Sequence, residues 1–185
     1  MRVQVTRVGL PVATRADLRG HTLEAAVLKD PAFLRARSKL DQCATSLAAS
    51  RSAQGSARGG GGGSGGGRSK AASGEAQRTG RSAMQRAIEE CRAAEFKAAA
   101  AHLRAVDVVV CTCVSAGSAA LLAATGLRSE HASASGGEPL PAGRAADGGP
   151  LLRFASVVLD EATQATEPAA LVALALGARQ LALVG

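Results

Sequence analysis

Asp160 and Glu161 stand side by side at the end of the run Phe154-Ala155-Ser156-Val157-Val158-Leu159. A strand that ends in two acids fixes a pair of carboxylates at the edge of a sheet. One of them, Asp160, can hold Mg²⁺ directly or through water, since that ion takes one or two carboxylates and leaves its other positions to water and phosphate. The second, Glu161, can orient and deprotonate a water that attacks a phosphoryl group. A plainer role fits the same residues: acids in a solvated strand-to-helix turn stabilise the positive end of the next helix. Residue types alone leave both readings open.

The elements around the pair have to place it. Residues 154–159 read as a strand and Pro168 falls in the first turn of an apolar helix. Gly177 supplies that helix's stop, and Leu181 to Val184 reads as a second strand. This is a βαβ unit, and it puts the acids at the carboxyl edge of a parallel pair, where ligands of open α/β sheets bind. Val106 to Val110 is nearly all β-branched, which predicts a strand covered on both faces. Cys111 and Cys113 would then share one strand face as packing residues. The run turns into Thr112 to Gly117, followed by a short Ala/Leu helix to about Ala124 and a flexible insertion over 126–150. At the beginning, Val3 to Val8 alternates polar and apolar residues before Gly9 and Pro11 and predicts a short strand. Thr22 would cap a helix from Leu23 to Leu28, which Pro31 ends or restarts.

Two longer helices follow. Phe33, Leu34, Arg37, Leu40, Ala44 and Leu47 repeat at helical spacing, as do Met84, Ala87, Ile88, Cys91, Ala94, Ala98 and His102, with Ser82 as the expected cap of the second helix. Between them, residues 51–81 are Ser, Gly, Ala and Arg and read as a flexible loop. The expected fold is α/β: strand and helix in 1–30, an inserted antiparallel helical hairpin in 31–105 with 51–81 disordered, and a parallel-sheet core in 106–185.

Charge is uneven. Residues 1–105 carry 18 Lys/Arg against 8 Asp/Glu, and residues 106–185 carry 4 against 7. The basic half is the candidate contact for a polyanion, and soluble Arg-rich loops are the plain alternative. With 3 Phe and no Trp or Tyr, stacking of bases on an aromatic platform is nearly excluded. Cys43, Cys91, Cys111 and Cys113 lack the paired spacing of a zinc site, and no secretory leader precedes them, so an intracellular chain, cytoplasmic or nuclear, is expected. The most apolar stretch, 168–185, is broken by Arg179 and Gln180, and no membrane span is expected. His21, His102 and His131 are scattered and read as surface or loop residues.

The segment Asp160-Glu161-Ala162-Thr163-Gln164-Ala165-Thr166-Glu167-Pro168 closely resembles motif II of superfamily 1 helicases of the group containing the regulator of nonsense transcripts, senataxin and the immunoglobulin mu-binding helicase. Leu176 to Gly185 resembles the approach to motif III, ending on its first glycine. Val106-Asp107-Val108-Val109-Val110-Cys111-Thr112-Cys113-Val114-Ser115-Ala116-Gly117 resembles the segment whose Thr and small residues meet the nucleic-acid backbone. Thr6-Arg7-Val8-Gly9-Leu10-Pro11 resembles an earlier strand of the same domain. The resemblance implies a partial RecA-like domain of the P-loop NTPase class, driven by ATP and Mg²⁺ and acting on a single strand of RNA or DNA. It makes Asp160 the Mg²⁺ ligand and Glu161 the base. Gln164 joins the nucleotide-side network or bonds the next helix start. Gly185 lies on the nucleotide side, and Thr112, Ser115 and Gly117 meet nucleic acid. For Thr112 the plain alternative is a hydroxyl bonded to local backbone.

Departures accompany the resemblance. The 185 residues contain no Gly-x-x-x-x-Gly-Lys-Ser/Thr loop. Gly62 to Gly67 followed by Arg68 and Ser69 has that spacing with Arg for Lys, but it follows no expected strand, opens no expected helix and reads as linker. Without a phosphate loop or second motor domain the isolated chain is expected not to turn over ATP. The competing class is a non-catalytic module that binds nucleic acid or protein through the basic hairpin.

Overall fold

The computed structural model describes residues 2–9, 14–57, 67–127 and 149–185. The chain divides into two compact units, one made of 1–30 with 96–185 and the other of 31–95.

In the first unit, β1 (Val5–Val8) pairs in parallel with β2 (Val108–Cys111), Val5 opposite Val108 and Val8 opposite Cys111. Between them in sequence, α1 (Leu23–Val27) starts at Thr22, whose side chain accepts the Ala25 N–H at 3.2 Å. That is the cap expected of a threonine in extended backbone before a helix. Thr6 of β1 is fully buried: its hydroxyl donates to the His21 carbonyl at 3.2 Å and meets His102 Nε2 at 3.1 Å. Burial, with Lys29 nearby, holds the His102 imidazole below its ordinary pKa.

After β2 come α4 (Cys113–Ala116) and α5 (Ala119–Thr125). Gly126, at φ +81, ends α5 in the left-handed conformation that suits glycine. Of the insertion expected over 126–150, residues 128–148 lie outside the described residues, as does His131. Its two flanks meet where Leu152 N–H donates to the Ala124 carbonyl at 2.8 Å, and Pro150 is tied to the helix before β2, its carbonyl accepting Arg104 Nε at 2.8 Å.

The second parallel pair is β3 (Ser156–Leu159) with β4 (Gln180–Leu183), joined by α6 (Glu167–Leu174). Pro168 sits in the first turn of α6, and Gly177 follows it at φ +79, so the βαβ unit forms as its punctuation predicts. Among the described residues the two strand pairs share no ladder. They are joined by helices: Ala116, Ala173 and Leu176 form a buried cluster with Cys111, Leu122, Phe154 and Val172 around it. The fold is mixed α/β with short parallel strand pairs.

β2 departs from expectation in two ways. It is not covered on both faces, since Val108 and Val110 are 42% and 50% exposed. A pair of strands offers fewer neighbours than the multi-stranded sheet that a β-branched run suggests. Cys113 does not share a strand face with Cys111, because the chain leaves the strand at Thr112 and Cys113 opens α4. All four cysteines are free thiols, and burial, helped by Cys113, raises the Cys111 pKa.

The second unit consists of α2 (Pro31–Ala57) and the larger part of α3 (Gly67–Ala105). Lys39 Nζ lies 2.6 Å from Glu90 Oε2, and Leu47 packs at the Cα of Gly80, where a Cβ would sit 3.2 Å from its Cδ1. These contacts run in opposite directions along the two helices, so the helices are antiparallel. The loop expected over 51–81 is overturned in large part: residues 51–57 continue α2 and 67–81 belong to α3, while 58–66 lie outside the described residues. No proline interrupts the tract. A helix already nucleated by an apolar stripe extends at one hydrogen bond per added residue, through Ala, Arg and Gln, despite about 1 kcal/mol for each glycine. Ser82 is therefore no cap. It lies inside α3 and donates to the Thr79 carbonyl at 2.9 Å.

Candidate active site

β3 carries its last buried residue, Leu159, into the core and delivers Asp160 and Glu161 to solvent at its carboxyl edge. Asp160 Oδ1 accepts the Glu161 N–H at 3.0 Å, and Oδ2 has no protein partner among the described residues. Glu161 takes φ +53 and ψ +40, the one non-glycine residue at positive φ among those described. A side chain in that region costs about 1–2 kcal/mol. Such a backbone persists where its surroundings over-determine it.

Those surroundings are visible. Gln164 N–H donates to the Glu161 carbonyl at 2.9 Å, closing a 3₁₀ turn over Ala162–Gln164. Ala162 N–H donates to the Val184 carbonyl at 2.8 Å, and Val184 N–H donates to the Leu159 carbonyl at 2.9 Å. The end of β4 thus holds the turn that carries the acids, with Gly185 against Thr163. The Gln164 side chain is exposed.

An exposed carboxylate with one oxygen free suits a hard divalent cation that brings its own waters and phosphate ligands. Among the described residues no three His, Cys, Asp or Glu converge as a closed metal cage would require. A single exposed carboxylate of this kind is compatible with a hydrated divalent cation that takes its other ligands from water and phosphate.

Thr112, Ser115 and Gly117 gather at the carboxyl edge of the other strand pair. Thr112 is the N-cap of α4: its Oγ1 accepts the Ser115 N–H at 3.2 Å and lies 3.0 Å from Ser115 Oγ. Gly9, at φ +143, ends β1 where a Cβ would lie 3.2 Å from Ser115 Oγ. Gly117 gives room to α6, since a Cβ there would lie 3.1 Å from Val172 Cγ1. The local-backbone reading of Thr112 is thus realised. Thr163 and Val184, which shape the acid turn, were missed as site residues. Their signal was faint: two small residues, Ala162 and Thr163, between the acids and Gln164. The Gly62–Ser69 spacing leads into α3, contrary to expectation; Gly62 to Gly66 lie outside the described residues, and the nearest described element before them is α2 rather than the strand that precedes a phosphate cradle.

Residues 145–185 match a family model described as an AAA domain. The matched stretch contains β3, the acid turn, α6, β4 and Gly185. Such a domain occurs in senataxin-like superfamily 1 helicases, and the match supports nucleotide-binding, ATPase-type chemistry on a partial P-loop fold. No curated protein matches the chain. No helix among the described residues is long and apolar enough to cross a membrane.

Proposed function

We propose that this chain is part of the first motor domain of a superfamily 1 helicase, a nucleic-acid-dependent ATPase. The observation that carries the reading is the pair Asp160-Glu161 at the carboxyl end of β3, held in a strained and fully tied turn inside the stretch that matches the AAA domain. Asp160 would hold Mg²⁺, which when bound would supply charge neutralisation at the phosphoryl group. Glu161 orients the attacking water and takes its proton, and the left-handed backbone there turns its side chain out of the strand's alternation. Gln164, one turn on, forms the nucleotide-side rim, and Gly185 packs against the turn from beside it.

The second edge supplies the nucleic-acid contact. The Thr112 and Ser115 hydroxyls and the backbone of Gly117 can hydrogen-bond phosphate and sugar oxygens without reading bases. The basic residues of 31–95 add a sequence-independent attraction. A module that only binds would need neither the acid pair nor its clamp.

The test is ATP hydrolysis by the full-length gene product with and without single-stranded oligonucleotide. Stimulation by RNA or DNA supports the motor. ATP binding with no stimulated hydrolysis would leave the binding module.

A further inference from the structure

The turn that carries Glu161 is approached most closely by a residue with no side chain. A Cβ built on Gly185 would lie 3.1 Å from the backbone N of Thr163, 3.1 Å from its Oγ1 and 3.2 Å from its Cγ2. These separations are tighter than real carbon contacts ordinarily are, and one of the three atoms is main chain, so relief requires the turn itself to give by a few tenths of an ångström. Gly185 is not at positive φ, so what it provides is space rather than an unusual conformation.

Thr163 is the middle residue of the 3₁₀ turn that Gln164 closes onto the Glu161 carbonyl. Before it, Ala162 is bonded to Val184 and Glu161 has its N–H on Asp160. After it, Gln164 donates back to the Glu161 carbonyl, so the turn is closed on both sides of Thr163. A push on Thr163 has no slack to enter, because Glu161 occupies a narrow backbone region with no adjoining well for a residue bearing a side chain. The displacement passes to the Glu161 carboxylate.

We propose that Gly185 and Thr163 form a positioning contact that sets the place of Glu161 relative to the water it activates. The proposal rests on the reading of Glu161 as the base. Neither residue touches the reacting atoms. Their contact acts through Glu161, whereas Asp160 precedes the turn and keeps its place on the strand end.

The experiment is steady-state ATP hydrolysis and ATP binding by the full-length gene product carrying Gly185→Ala, alone and with Thr163→Ala. A misplacement of about 1 Å can cost on the order of 100-fold, so a shift of a few tenths predicts a kcat about 10-fold lower, with KM for ATP within about twofold. Thr163→Ala deletes two of the three obstructing atoms, so the double variant should recover at least about threefold of the lost kcat, a coupling that independent defects would not show. Unchanged kcat in Gly185→Ala overturns the proposal. So does a loss shared equally by ATP binding, or one that Thr163→Ala does not relieve. Glu161→Gln, measured alongside, separates the two levels: if it hydrolyses ATP normally, the base assignment fails and the proposal with it. If it is inactive while Gly185→Ala is normal, only the positioning contact fails.

Discussion

Ala162 donates its backbone N–H to the Val184 carbonyl at 2.8 Å, so the residue after Glu161 is fastened to the end of the neighbouring strand rather than left in a free loop. Val184 in turn donates to Leu159, the last residue of β3. The two strands are therefore laced together just past their ladder, and the acids sit within the lacing. A solvated turn serving only to cap α6 would need none of this, and neither Asp160 nor Glu161 caps α6, whose N-cap is Thr166.

Strain at Glu161 predicts an inverted stability series. Glu161→Gly relieves a left-handed side-chain cost of about 1–2 kcal/mol and gains unfolded-state entropy of about 0.5–1 kcal/mol, so it should be at least as stable as the parent. Glu161→Val, β-branched, should lose about 1–2 kcal/mol further. Urea unfolding of the 185-residue chain measures both, and Gly less stable than Val would contradict the backbone described here.

The Thr112 cap predicts a separable effect. Thr112→Ala leaves the Ser115 N–H without its acceptor and should cost about 1 kcal/mol, while Thr112→Ser should retain most of the stability. If Thr112 also meets nucleic acid, Thr112→Ser should keep oligonucleotide affinity near the parent's as well. Thermal unfolding and fluorescence anisotropy read the two properties independently.

His102 predicts a pH dependence. Its folded pKa lies below the ordinary value of about 6.5, because burial and then Lys29 disfavour the imidazolium. The unfolded chain thus binds the proton more readily. The stability contribution is fully present above about pH 6.5 and is lost as pH falls through the lowered folded value. His102→Gln, which can still bond Thr6, should flatten that part of the profile. Melting temperatures between pH 5 and 8 check it, and an unchanged slope would remove His102 as its source.

Much of this arrangement was legible in the residues. Pro168 and Gly177 bracket α6 because their backbone preferences are local, and the β3–α6–β4 unit follows from them. Thr22 announces α1 for the same reason. The helical ends of the hairpin were not legible, since the 51–81 tract has linker composition and only extension from flanking helices makes 51–57 and 67–81 helical. Exposure of Val108 and Val110 was hidden as well, because a β-branched run reports strand preference and not how many strands lie beside it. At the candidate site, type and position marked the acid pair but left a solvated turn equally open, and the resemblance of the neighbouring residues set the choice. The left-handed backbone of Glu161 could not be found, because a glycine or asparagine is the ordinary mark of that conformation. Nor could the fit of Gly185 to Thr163, which joins residues that only the β3–β4 register brings together.

If Glu161 activates water while Asp160 holds the metal, the two roles separate in Glu161→Gln, which keeps shape and hydrogen bonding but cannot take a proton. In the full-length gene product carrying it, ATP turnover should fall by at least about 100-fold, the low end of what general-base catalysis contributes, with ATP affinity within about twofold of the parent. Normal turnover in that variant would remove Glu161 as the base.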